Sequence, residues 1–88
     1  MGLTVKKKIE IKSLDELSFV LGTYDENLTY IARELELLAY VDGMKICIEG
    51  AEENVRVGEE TLQALIASVR AGDRVDASRV AYCIEIAK

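Results

Sequence analysis

The side chains that most often perform chemistry in enzymes are scarce in this chain. It has no histidine and two cysteines, Cys47 and Cys83. Without an imidazole base, neither a Ser-His nor a Cys-His pair can form. The wide separation of the two cysteines matches no zinc-binding spacing. Each cysteine falls within a periodic apolar segment, which favours buried free thiols, although a disulfide bond stays open as an alternative.

Carboxylates are plentiful, but their spacing does not suggest a catalytic pair. The consecutive pairs Glu52-Glu53 and Glu59-Glu60 would place their members on different faces of a helix. No glycine-rich nucleotide-binding motif occurs, neither G-x-x-x-x-G-K-[ST] nor G-x-G-x-x-G. We therefore expect a chain without catalytic, cofactor-binding or metal-binding residues.

The stretch LGTYDENL, Leu21 to Leu28, is where the sequence suggests a phosphate-binding loop. Gly22 precedes two acids here, and such a stretch can either cradle a phosphate or form the turn that starts a helix. Thr23 is placed to cap that helix, and Glu26 to reach back to it. Acids at a helix N-terminus also interact favourably with the helix dipole. The local chemistry therefore favours a helix start, and the surrounding elements must decide whether a binding loop is also present.

Hydrophobic periodicity predicts the elements around this stretch. KKIEIKS alternates polar and apolar residues, as a half-buried strand does. SLDE carries a capping-box signal at Ser13 and Glu16, and a short helix follows that ends at Gly22. A second helix is expected from about Tyr24 to Glu36. The apolar face of the first helix is expected to consist of Leu14, Leu17 and Leu21.

The second half of the chain begins with a hairpin signal. Strands expected at about Leu38–Val41 and Lys45–Glu49 flank Asp42-Gly43, a pair that accepts the positive φ of a tight turn. Two helices follow, EENVRVGEETLQALIASVRAG and DASRVAYCIEIAK, the second capped by Asp76. Gly58 on the apolar face of the first of these indicates close approach of helix to sheet. The order β-α-α-β-β-α-α predicts an α+β fold, a three-stranded antiparallel sheet with helices on one face.

Composition and charge narrow the class of protein. A chain of 88 residues is expected to form one small domain. Its net charge of −5 argues against nucleic-acid binding by bulk electrostatics, and the basic cluster Lys6–Lys8 is typical of a solvated strand. No apolar run approaches the ~18 residues of a membrane span, and no signal-peptide pattern occurs. We expect a cytoplasmic protein without a membrane partner.

Three local features accompany this order of elements. They are a glycine between two short helices, KICIEG closing the hairpin, and ENVRVGEETLQALI as the following helix. Together they resemble a K-homology (KH) domain of the β-α-α-β-β-α kind. More specifically, the chain is similar to the N-terminal KH-like domain of PhoH-family ATPases. The stretches that carry this likeness are KKIEIKSLDEL, LGTYDENLTYIARELELLAYVDGMKICIEG and DASRVAYCIEIAK.

This resemblance implies one KH-like domain over residues 1–88. Its KH-like core would cover residues 6–70, and an extra C-terminal helix over 76–88 would lead to a P-loop ATPase domain that is absent here. ATP and magnesium would belong to that absent domain, so no cofactor is expected in this chain. The parent protein would be an ATPase, and this chain a non-catalytic part of it.

A KH domain holds about four nucleotides through a GXXG loop, whose backbone clamps the nucleic-acid backbone. The resemblance places that loop at Gly22, Thr23, Tyr24 and Asp25. Asp25 replaces the second glycine, no lysine or arginine lies between, and a nearby carboxylate repels a phosphate by roughly 1 kcal/mol or more. The tight hairpin turn at Asp42 and Gly43 leaves little of the variable loop of a KH domain. Asp25→Gly is expected to weaken the helix cap and to raise RNA affinity.

Two functions stay open at this point. The first is an RNA-binding accessory domain of a PhoH-like ATPase with a degenerate GXXG loop, whose partner is single-stranded RNA. Tyr40 could stack a base there, although a partly buried strand tyrosine is the plainer interpretation. The second is a protein-interaction or oligomerisation module of the same ATPase, which the acidic surface fits. Its partners would be the C-terminal ATPase domain or a second copy of the chain.

Overall fold

The elements follow the order that the sequence predicts, and the fold is α+β. The computed structural model describes residues 3–88, so residues 1 and 2 of the expected domain lie outside the described residues. In chain order the elements are β1 (Thr4–Glu10), α1 (Leu14–Leu21), a turn of 3-10 helix (Thr23–Asp25), α2 (Glu26–Glu34), β2 (Leu38–Asp42), β3 (Lys45–Ala51), α3 (Glu52–Arg70) and α4 (Ala77–Ala87).

The three strands form one antiparallel sheet, as expected, and their order in it is β1-β3-β2. Ile46 of the central strand lies opposite Ile9 on one side and Val41 on the other. Ile46 and Ile48 are fully buried in the core that the helices share with the sheet. Because side chains alternate along a strand, the other face of the sheet lies away from the helices. We call it the outer sheet face; it carries Lys6, Lys8, Leu38, Tyr40, Cys47 and Glu49.

Helix α1 is capped by Ser13 as the sequence predicts, but the Glu16 carboxylate does not bind the backbone of Ser13. Ser13 Oγ accepts a hydrogen bond from Glu16 N at 3.1 Å, which confirms the cap. The buried Glu16 carboxylate accepts from Lys12 N at 2.7 Å and does not close a capping box on Ser13 N. It also pairs with Arg70 Nε at 2.5 Å. This ion pair joins the start of α1 to the end of α3.

The expected apolar face of α1 needs one correction. Leu17 and Leu21 are buried, but Leu14 is 71% exposed, and Val20 is buried in addition. Leu14 is the first residue of the helix and therefore lies at its end, beyond the edge of the core. The buried face is displaced toward the C-terminus of α1, close to Gly22.

Two predictions about the second half are confirmed. A Cβ added at Gly58 of α3 would lie 2.8 Å from Leu37 Cδ1 and 3.2 Å from Ile48 Cδ1, so this helix does approach the sheet closely at its glycine. Asp76 caps α4, because its Oδ1 accepts from Arg79 N at 2.9 Å. Helix α4 packs along α3 and also contacts α2.

Both cysteines are free thiols, so the disulfide alternative is not realised. Cys47 is fully buried although it points to the outer sheet face, because Lys8 and Tyr40 lie directly opposite it on the neighbouring strands. Cys83 lies on α4, and burial raises the pKa of its thiol above the ordinary value.

Candidate functional site

The loop between α1 and α2 has the backbone of a tight, strained turn. Gly22 ends α1 by donating its N–H to Ser18 O at 3.0 Å. Its φ of 80° with ψ of 178° lies in a region that is essentially restricted to glycine. Asp25 N then donates back to Gly22 O at 3.1 Å and closes the turn.

A buried amide supports this turn from below. Asn27 is 3% exposed, and its Nδ2 donates to Val20 O at 3.1 Å. A Cβ added at Gly22 would lie 2.8 Å from the same nitrogen. Asn27 therefore occupies the space that any side chain at Gly22 would need.

Both residues that follow Thr23 adopt the left-handed conformation. Tyr24 has φ 53° and Asp25 has φ 58°, values that cost roughly 1–2 kcal/mol per residue for most side chains. Asp25 is the N-cap of α2, and its side chain makes no cap hydrogen bond. The expected start of α2 at Tyr24 and the expected capping by Thr23 are therefore wrong. The left-handed pair turns the chain sharply before the helix begins at Glu26, so the Thr23 side chain is not at the cap position.

An open groove of about 680 Å³ lies beside this loop. The end of α1, the loop, the end of α3 and the α3–α4 connection line it. Two aromatic side chains at or near the groove are exposed, Phe19 at 64% and Tyr24 at 97%. The lining residues are Ser18, Phe19, Gly22, Thr23, Glu26, Val69, Gly72, Asp73, Arg74 and Val75.

The charge of this groove is mixed. Glu26 and Asp73 contribute negative charges to its lining, and Arg74 contributes one positive charge. The lysines of β1 do not add to it. Lys7 pairs with Glu59 of α3 at 3.8 Å, and Lys6 lies over the Tyr40 ring with Nζ 5.7 Å from the ring centre. The groove therefore has no basic cluster that would attract a phosphate chain from a distance.

The hairpin lies apart from the loop. Asp42 and Gly43 contribute to a separate depression of about 530 Å³, which shares no residue with the groove. The turn is also shifted by one residue from the expected centre. Asp42 pairs with Lys45, so the two central residues are Gly43, with φ 63°, and Met44. Glycine at the first central position alone satisfies a type II′ turn, so Asp42 stays in the strand.

Tyr40 does not join the loop. It lies on the outer sheet face, opposite Cys47 of the central strand, whereas the loop connects two helices on the other side of the sheet.

Within residues 3–88, no group of three cysteine, aspartate or glutamate side chains is placed to hold a metal ion. No helix among these residues is long and apolar enough to cross a membrane.

Sequence reasoning missed two parts of the groove. Phe19 does not belong to the apolar face of α1 that packs into the core. An apolar aromatic residue on the polar side of a short helix could have indicated an exposed binding surface. Arg74 and its neighbours sit in the connection between α3 and α4, far from the loop in sequence. No local pattern brings two such segments together, because only the packing of α1 against α3 does so.

Comparison with protein-family models gives no match for this chain, and comparison with curated proteins gives none either.

Proposed function

We propose that this chain is a KH-like, non-catalytic accessory module of a PhoH-like ATPase, and that it binds single-stranded RNA at the loop Gly22–Asp25. The parent ATPase domain would be its partner within one protein and would hold ATP and magnesium. The sequence resemblance supports the family. The order β-α-α-β-β-α with an added helix is compatible with it.

One observation carries the proposal. Three of the four loop residues have positive φ, Tyr24 and the residues at the first and last positions, Gly22 and Asp25. Those are the two positions that glycine occupies in a GXXG loop, and glycine is the residue that adopts positive φ most readily. Aspartate is among the few other residues that visit this conformation routinely. The proposal is therefore that Asp25 takes the place of the second glycine, with a compatible φ but an added negative charge.

The aromatic side chains supply a binding force that does not depend on charge. Tyr24 at the tip of the loop and Phe19 on the last turns of α1 both expose their rings. Stacking of a base on an aromatic side chain contributes about 1–3 kcal/mol. Bases that are unpaired can reach such rings, which favours single-stranded over duplex RNA.

The acids of the groove limit the affinity. Glu26 and Asp73 would face a phosphate chain bound in the groove, and Arg74 is the one cation among the lining residues. The salt slope for a single strand is about 0.7 per neutralised phosphate, so we expect weak binding with a shallow dependence on salt. This profile suits a domain whose RNA is delivered or held by another part of the protein.

The test is a fluorescence-anisotropy titration of a labelled single-stranded RNA at low salt with Tyr24→Ala. We expect this variant to lose about fivefold or more in affinity, the low end of one stacking contact. Tyr82→Ala is the matched control, because Tyr82 is also exposed, at 64%, but lies on α4 away from the groove. Equal affinities of the two variants would contradict a role for the loop.

A second candidate function is a protein-interaction or oligomerisation module of the same ATPase. The observation that favours it is an exposed apolar strand, β2, at one edge of the sheet. Both candidates fit a cytoplasmic protein, because two free buried thiols are typical of a reducing compartment.

A further inference from the structure

The two edges of the sheet are built differently. Strand β1 carries three consecutive lysines, Lys6–Lys8, and lysines on an edge strand discourage pairing with another chain. Strand β2, at the opposite edge, has one charged residue, Asp42, at its end. The edge formed by β2 therefore lacks the protection that the edge formed by β1 has.

Strand β2 also exposes apolar surface. Leu38 is 60% exposed, and Tyr40 and Val41 are each 37% exposed. Leu38 and Tyr40 lie on the outer sheet face, whereas Val41 lies on the face toward the helices. Apolar side chains on both faces of an unpaired strand make it a template for a further strand.

The hydrogen-bonding groups that β2 leaves free follow from its turn. A two-residue turn closes on a hydrogen-bonded pair, here Asp42 and Lys45. Such pairs recur at every second residue of an antiparallel ladder, so Tyr40 and Leu38 direct their backbone groups toward β3. The N–H and C=O of Ala39 and Val41 must then point to the free edge.

We propose that β2 is a docking edge for a second copy of this chain. The two β2 strands pair antiparallel with Tyr40 opposite Tyr40 of the second copy, and the two sheets become one sheet of six strands. In this register Ala39 and Val41 of each copy exchange N–H and C=O bonds with Val41 and Ala39 of the other. The contact is two-fold symmetric, as most protein dimers are.

The charges of the strand fit this register. Asp42 lies opposite Leu38 of the second copy, so no like charges are opposed across the seam. Antiparallel pairing about Ala39 would instead place Asp42 opposite Glu36, and like charges directly opposite destabilise a sheet. That alternative would also need the N–H of Leu37, which already donates to Ala32 O at 2.8 Å.

This self-complementarity is why we commit to a second copy as the occupant. The inference does not rest on RNA binding, because no residue of β2 lines the groove beside the loop. The affinity of the dimer and the affinity for RNA should also change in opposite directions with salt concentration. Each copy carries a net charge of −5, so salt screens their repulsion and strengthens the dimer, whereas salt weakens RNA binding.

Sedimentation equilibrium over a concentration range up to millimolar tests the dimer. We expect Leu38→Asp to weaken dimerisation about tenfold or more, because the new carboxylate lies opposite Asp42 at two symmetric places. Leu14→Asp is the matched control, since Leu14 is 71% exposed on α1, and it should leave the dimer unchanged. Ala39→Pro should also abolish dimerisation while keeping the fold, because it removes a donor that faces the free edge.

A cross-link tests the register. Tyr40→Cys is made in a Cys47→Ala, Cys83→Ala background, because Cys47 lies opposite Tyr40 within the same chain. Residues opposite each other in a non-hydrogen-bonded pair lie about 4.5 Å apart at Cα, within the range of a disulfide. We expect a disulfide-linked dimer on oxidation, and none for Leu38→Cys. The proposal is overturned if the chain stays monomeric at millimolar concentration, or if a dimer forms that is insensitive to Leu38→Asp and Ala39→Pro. The free edge of β2 would then be available to pair with a strand of another protein.

Discussion

The side-chain amide of Asn27 fills the space directly beneath Gly22. Asn27 Nδ2 donates to Val20 O at 3.1 Å, and a Cβ at Gly22 would lie 2.8 Å from that nitrogen. Glycine is therefore required at this position by the fold itself. A ligand is not needed to explain this glycine, so RNA binding is inferred from the φ of Asp25, the exposed Tyr24 ring and the groove.

The first prediction concerns the stability of Gly22→Ala. We expect a loss of about 2–4 kcal/mol in the free energy of unfolding, because both the backbone conformation and the contact with Asn27 oppose a side chain. Urea denaturation measures it. Gly72→Ala is the matched control, since Gly72 has a similar φ of +86° but nothing within 4 Å of an added Cβ. Equal losses in the two variants would show that Asn27 plays no part.

The second prediction corrects the expectation that Asp25→Gly weakens a helix cap. The Asp25 side chain makes no cap hydrogen bond and its φ is 58°, so glycine relieves backbone strain there. The loss of a favourable charge at the start of α2 partly offsets this gain. We expect a net stabilisation of about 0.5–1 kcal/mol in urea denaturation, together with tighter RNA binding.

Asp25→Asn separates the two effects. Asparagine tolerates the left-handed conformation but carries no charge, so RNA affinity should rise without the gain in stability from relieved strain. If neither variant binds RNA more tightly, the carboxylate is not near the phosphates and the loop is not the contact.

The third prediction concerns pH and the pair Glu16–Arg70. The Arg70 guanidinium, followed by the Lys12 N–H, lowers the pKa of the Glu16 carboxyl below its ordinary value of 4.5. A lowered pKa in the folded state contributes stability above the ordinary value, and this contribution is lost as the pH falls through the lowered pKa. Thermal unfolding should therefore show that Glu16→Gln lowers the melting temperature at neutral pH.

Measurements at acidic pH test whether the effect of Glu16→Gln comes from the charge of Glu16. The difference in melting temperature between Glu16→Gln and the unmodified chain should shrink well below pH 4.5, where the carboxyl is protonated in both folded and unfolded chains. Glu85→Gln is a suitable control, because Glu85 is exposed and its partner is the exposed Lys88 at 3.4 Å. A pH-independent difference for Glu16 would mean that its packing matters and its charge does not.

The fourth prediction concerns the thiols. Cys47 is fully buried, and Cys83 is 8% exposed with a raised pKa, so little reactive thiolate is accessible in the folded chain. A thiol-reactive dye should label neither residue at neutral pH and both in denaturant. Rapid labelling of Cys83 in the folded chain would indicate that α4 detaches from α3.

Much of the fold follows from local patterns. Strand alternation at Ile9 and the caps at Ser13 and Asp76 are each decided by neighbours in sequence. The same reasoning failed where tertiary packing decides. Leu14 fits the helical stripe but lies beyond the core, and Glu16 prefers Arg70, which only the packing of α1 against α3 brings near.

The candidate site was predicted only in part. The position of the loop between two helices could be read from Gly22, but the left-handed pair Tyr24 and Asp25 could not. Neither residue type demands that conformation, and the sequence equally allowed a capped helix starting at Tyr24. Arg74 also lines the groove. It is far from the loop along the chain, so no local sequence pattern could predict that the two lie together.

The most direct test of the account is to map RNA binding on the folded chain by NMR. A single-stranded oligonucleotide is titrated at low salt into the isotopically labelled protein while backbone amide shifts are recorded. If RNA binds at this loop, shift changes are expected at Phe19, at Gly22–Glu26 and at residues 72–75, which line or adjoin the groove. Changes confined to β2 and the outer sheet face, or none at millimolar RNA, would contradict RNA binding at this loop.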